Sequence, residues 1–116
     1  MTSNLAGVDL AQNRLFAAAA IIDMRAALME GAACEAIEAA LTEDQTTVGT
    51  ALNIEHISAT PVGLDVHAEA TVTAVEGKVI TFEVKAFDEA GEIGHGTHKR
   101  VIVNSQKFLD RTYGKL

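Results

Sequence analysis

The chain has 116 residues, enough for one domain with one core, and 48% of them are hydrophobic. With 16 acidic against 9 basic residues the formal charge is −7, and the basic residues are not clustered apart from His98-Lys99-Arg100, which argues against a nucleic-acid partner. A single cysteine, Cys34, excludes an internal disulfide and a cysteine-based zinc site.

Four Phe, one Tyr and no Trp leave Ala, Val, Ile and Leu to fill the interior. The N-terminus has no basic segment followed by an apolar run and a cleavage site, and LFAAAAII is too short to cross a bilayer. The expectation is a soluble cytoplasmic protein in a reducing compartment.

In chain order, residues 1–8 read as a tail. Residues 9–42 are rich in Ala, Leu, Met and Glu without Pro and read as one long helix with Asp9 as N-cap. Ile22, Ala26, Met29, Ala33 and Ile37 form its apolar stripe, with Arg25, Glu35 and Glu38 off it. Residues 46–104 alternate with period two and predict four strands near 47–56, 64–75, 78–88 and 92–104. Glu76-Gly77 and Glu89-Ala90-Gly91 read as turns, and Pro61 lies between the first two strands. Short connections imply an antiparallel meander, and residues 105–116 read as a fraying C-terminal tail. The fold class is therefore α+β: one long helix packed by its apolar stripe on an antiparallel sheet of about four strands.

Four groups stand out chemically. Glu30 is mid-helix, either a solvated carboxylate or a base or nucleophile at the mouth of an acyl pocket. His56 ends the first strand, either as a surface histidine or as a group able to move a proton near neutral pH. Helix-on-sheet packing could bring these two together. GHGTHKR is either a bulged strand or backbone opened to a ligand, with Arg100 near a phosphate or carboxylate. His95 and His98 are three residues apart and fall on opposite strand faces, which argues against a shared metal. Cys34 reads as a buried, inert thiol.

ALMEGAACEAIEAAL, TTVGTALNIEHISATPVGL and EIGHGTHKRVIVNSQKF together resemble the hot-dog-fold thioesterases of the fluoroacetyl-CoA thioesterase type, over about residues 26 to 108. The resemblance implies a hot-dog-like dimer with sites at its interface. It implies a catalytic Glu30 and His56, and substrate binding by Gly49 and Thr50 of VGT, by the position of Ile22, and by Arg100 near the mouth of the coenzyme A site. No resident cofactor is implied, since coenzyme A arrives as part of the substrate. Two departures stand out. Ile22 occupies the position of a family threonine. Residues 1–21 do not look like the family's longer N-terminal segment, so the sheet is expected to lack a strand and the lid to be absent or rebuilt. The functions that follow are hydrolysis of a small acyl thioester, binding of one without turnover, or a structural homodimer with no small ligand.

Overall fold

A computed structural model describes the backbone of residues 2–4 and 14–116, and side chains from Met24 onward. The element order is β1 (Thr2–Asn4), α1 (Arg14–Ile37), a single 3-10 turn (Glu38–Ala40), β2 (Gln45–His56), β3 (Asp65–Glu76), β4 (Val79–Asp88), β5 (Gly91–Asn104) and α2 (Ser105–Tyr113). The expected cap at Asp9 lies outside the described residues.

The four long strands fall where the period-two pattern places them, but their order is not a simple meander. The antiparallel sheet runs β1-β3-β4-β5-β2. β2 pairs with β5, so residues 57–64 carry the chain past the ends of two strands rather than around a hairpin. Connection length alone could not reveal this, because eight residues can serve as a loose turn or as an arch. Two further corrections lie at the ends. Thr2–Asn4, read as tail, pairs with Asp65–His67 of β3 as a short fifth strand. Ser105–Tyr113, also read as tail, is a helix whose N-cap Asn104 accepts from the Lys107 amide at 3.0 Å.

Turn chemistry fixes the β3–β4–β5 part. Gly77 has φ +60° in the two-residue β3–β4 turn, a conformation that favours glycine. Asp88 closes the β4–β5 turn by accepting from the amides of Ala90 (2.8 Å) and Gly91 (3.2 Å). Its other oxygen accepts from the Thr60 hydroxyl at 2.8 Å, which ties the arch to the turn.

The helix and one sheet face enclose the core. Leu28, Met29, Ala32, Ala33 and Ile37 meet Val66, Ala68, Ile80, Phe82, Val84, Ala86 and Ile93. Each large apolar side chain buried here contributes about 1.5–3 kcal/mol. The observed helix stripe is wider than expected and includes Arg25, which is 0% exposed. Cys34 is exposed, contrary to the expectation of a buried thiol.

Three bulges tune the sheet, at Thr50 in β2, Thr73 in β3 and Ile93 in β5, where one residue has no cross-strand partner. Gly94 and Gly96 of β5 serve strand packing. A Cβ on Gly96 would collide with the Asn53 carbonyl and come within 2.7 Å of the Ile54 Cα. At Gly96 the glycine is needed for the close approach of β2, and the β5 bulge falls just before GHGTHKR, at Ile93.

The outer face of the sheet carries charge. His95 contacts Glu92 through Nδ1 at 3.0 Å and Glu55 through Nε2 at 3.5 Å. Lys85 lies 3.4 Å from Glu83. His95 and His98 do point to opposite faces, since His98 is only 1% exposed on the helix side. Among the described residues no helix is long and apolar enough to cross a membrane.

Candidate functional site

β2 lies at the edge of the sheet, and the Thr50 bulge reverses its alternation. Gly49 faces the helix before the bulge; Leu52 and Ile54, packed against the core, do so after it. His56 continues their side and contacts Arg25 of α1. Two polar clusters result, one at each end of this face.

The first cluster centres on Arg100, which is 8% exposed. Its Nε donates to the Thr47 hydroxyl at 2.8 Å and its Nη2 to the Thr47 carbonyl at 2.9 Å. Its Nη1 lies 3.2 Å from Nε2 of His98. An arginine can only donate, so this nitrogen of His98 accepts. The other ring nitrogen, Nδ1, then donates to the Ala51 carbonyl at 2.8 Å. His98 is thereby held in one tautomer, with Phe82 stacked at 6.0 Å.

Glu30 completes this cluster, with Oε2 4.0 Å from Arg100 Nη1 and a side chain 44% exposed. Gly49 lies directly against the group. A Cβ there would be 3.2 Å from Arg100 Nη1, 3.2 Å from His98 Cε1 and 3.5 Å from Glu30 Oε2. The missing side chain is what leaves the carboxylate open. Thr50, next in the strand and out of the ladder, is exposed and donates to the Lys99 carbonyl at 3.3 Å.

The second cluster surrounds Arg25. Its Nη1 donates to the Ile93 carbonyl at 2.7 Å and lies 3.3 Å from His56 Nδ1. The Ile93 carbonyl also accepts from the amides of Ile57 (2.9 Å) and Ser58 (3.3 Å). Nε and Nη2 of Arg25 are buried and have no hydrogen-bond partner among the described residues. Burial pushes the guanidinium below its ordinary pKa, and the Asp88 carboxylate partly opposes this. Burial raises the Asp88 carboxyl, but the Thr60 hydroxyl, the Ala90 and Gly91 amides and the charge of Arg25 outweigh it and leave it below the usual carboxylate range.

Glu30, Gly49 and Arg100 are therefore brought together. Glu30 and His56 are not joined within one chain. Gly49 and His56 are seven positions apart on β2, roughly 20 Å at ordinary strand rise. Helix packing does not close that gap, because Glu30 reaches toward Arg100 while His56 meets Arg25. Arg100 faces inward onto Thr47 and His98. Ile22 lies within α1, and its side chain is outside the described residues. Sequence reading missed Arg25 and Thr47 and weighed His98 only as a metal ligand. The usable signal was spacing: Thr47 and His98 stand two positions from Gly49 and Arg100, and Arg25 stands four before Met29.

Comparison with known proteins identifies the family. The family model for the fluoroacetyl-CoA-specific thioesterase matches residues 2–106, which includes the N-terminal segment that had looked unlike the family. The fluoroacetyl-CoA thioesterase of Streptantibioticus cattleyicolor is 40% identical over 81 residues. That match covers 70% of this chain but spans only 58% of the relative's length. A solved structure of the fluoroacetyl-CoA thioesterase superposes with a TM-score of 0.75 at 37% identity, covering 78% of this chain and 67% of that one. A mutant of it in complex with fluoroacetate and CoA gives 0.74 at 37% identity, covering 77% of this chain and 70% of that one. A hot-dog-like protein from Thermanaerovibrio acidaminovorans shares the fold over 100% of this chain and 87% of its own, with a TM-score of 0.80 at 24% identity. The fold is thus hot-dog-like, and the chain belongs to the fluoroacetyl-CoA-specific thioesterase family.

Proposed function

We propose that the protein hydrolyses small acyl-CoA thioesters as a homodimer whose site combines Glu30 of one subunit with His56 of the partner subunit. The observation that carries the reading is the open Glu30 carboxylate, backed by buried Arg100 and faced by Cβ-less Gly49. Glu30 takes a proton from water as the oxygen attacks the thioester carbonyl. The tetrahedral intermediate collapses to the free acid and the coenzyme A thiolate, which is then protonated. Backbone N–H groups at the Gly49–Thr50 bulge are the proposed donors to the oxyanion. Coenzyme A arrives with the substrate, and no resident cofactor is invoked.

The proposed dimer is supported by the edge of β2, which pairs with no further strand among the described residues. An unpaired edge is a template for another strand, and a two-fold axis makes that strand a second β2. Antiparallel self-pairing about Asn53 sets Leu52 opposite Ile54 and Ala51 opposite Glu55. The Gly49–Thr50 bulge then falls opposite His56 of the partner subunit, with both groups on the helix side.

The test is hydrolysis of short, branched and aromatic acyl-CoAs, with subunit mixing. Glu30→Gln and His56→Ala should each be inactive alone. Co-refolded at equal amounts they should regain about a quarter of parent activity, because half the dimers are mixed and each of these has one intact site. A silent mixture beside an active parent would refute the shared site. A parent that binds acyl-CoA saturably without turnover would make it a binding protein, as Ile22 in the threonine position would favour.

A further inference from the structure

We infer that Arg25 is a positioning residue that holds His56 in the tautomer with its proton on Nε2, so that His56 meets substrate as a hydrogen-bond donor and not as a base. Arg25 Nη1 lies 3.3 Å from His56 Nδ1. A guanidinium has no acceptor, so Nδ1 must present its lone pair to it. The neutral ring then carries its proton on Nε2, the nitrogen directed away from Arg25. Its one lone pair is engaged, so in this arrangement the ring cannot take a proton from water. It can polarise a thioester carbonyl and bind the developing oxyanion, as neutral imidazoles do in other active sites.

Arg25 is built for this task. It is 0% exposed, so its position is set by packing, and its Nη1 is anchored on the Ile93 carbonyl at 2.7 Å. That carbonyl also holds the first two amides after His56, so the arginine and the histidine's own backbone share one reference point. A protonated His56 would place an N–H against the guanidinium and lose the contact. The inference rests on the thioesterase reading for its chemical purpose, but the tautomer can be read without turnover.

The experiment is two-bond 1H–15N correlation of the imidazole rings in the full protein, with His56→Gln to identify the signal. His98 is an internal standard of opposite tautomer, since its Nδ1 donates to Ala51 and its Nε2 accepts from Arg100. The expected result is Nε2–H for His56 in the parent, loss of that preference in Arg25→Met, and partial recovery in Arg25→Lys, which keeps a donor. In turnover, Arg25→Met should lower kcat by about tenfold with KM little changed, short of the 10²–10³ for removing an oxyanion donor outright. An Nδ1–H or mixed tautomer in the parent would overturn the inference whether or not Arg25→Met folds, as would an unchanged tautomer in a folded Arg25→Met. A correct tautomer that responds to Arg25, in a protein without hydrolysis, would keep the positioning role and reject the thioesterase reading.

Discussion

Two buried arginines stand at opposite ends of the helix-facing side of β2, and they are partnered very differently. Arg100 places all three nitrogens on partners: the Thr47 hydroxyl, the Thr47 carbonyl and His98. Arg25 uses one nitrogen for two partners and leaves two others without one among the described residues. A saturated cation is a strut. Arg25, buried as well, has fewer partners among the described residues, and His56 is the one side chain it hydrogen-bonds there. Burial alone therefore does not tell the two roles apart; the accounting of donors does.

The largest effect expected tests that accounting directly. Arg100→Met leaves the Thr47 carbonyl and the His98 nitrogen without their donor, and should cost about 3 kcal/mol of stability. Arg25→Met gives up one anchored nitrogen among the described residues and keeps an apolar stem, so it should cost less than about half as much. Urea unfolding of both variants settles this, and equal losses would break the comparison.

A smaller effect is expected from Gly49→Ala. Its Cβ would stand 3.2 Å from both Arg100 and His98, so the first cluster must give by a few tenths of an ångström. Stability should fall by about 1 kcal/mol. Activity should fall by about tenfold, because the Arg100 side chain that backs the Glu30 carboxylate must shift. Parallel urea and kinetic measurements read both. An unchanged rate would mean that Glu30 does not work at this strand.

The smallest effect sharpens the contrast from the opposite face. Hydrogen bonding to Glu92 raises the His95 pKa, burial opposes it, and the charges of Glu92 and Glu55 add to the rise. A pKa raised on folding adds stability that is full below the unfolded value near 6.5 and is lost as pH rises through the folded value. The urea midpoint of the parent should therefore exceed that of His95→Gln on the acid side, with the gap closing above neutrality. The difference between the two arginine variants should persist across this range.

Much of the fold was legible because alternation is a direct physical signature of a half-buried strand. Val66, Ala68, Val84 and Ala86 announce the core face without help. The place of β2 was not legible, since nothing local distinguishes an arch from a loose turn. β1 was missed because three residues are too few to alternate. α2 could have been found, because Asn104 three residues before Lys107 is a capping arrangement. In the candidate site, Glu30 and Arg100 stood out as residues and Gly49 through the family resemblance, and the three lie together. Arg25 was discounted because the apolar stripe was anchored on Ile22 and Ala26. The helix turns its buried face far enough to include a cation, and hydrophobic pattern cannot show that.

The Ile93 carbonyl has a consequence for how the molecule opens. Its donors in the arch, the amides of Ile57 and Ser58, belong to residues 36 and 35 positions earlier in the chain. Their hydrogen bonds exist only while β5 keeps its bulge beside the end of β2. Amide exchange at Ile57 and Ser58 should therefore follow the separation of β2 from β5 as one cooperative unit, and not the fraying of an exposed loop. Slow exchange at these two amides, whose own side chains are exposed, would mark the point at which the arch, the sheet and the helix are fastened together.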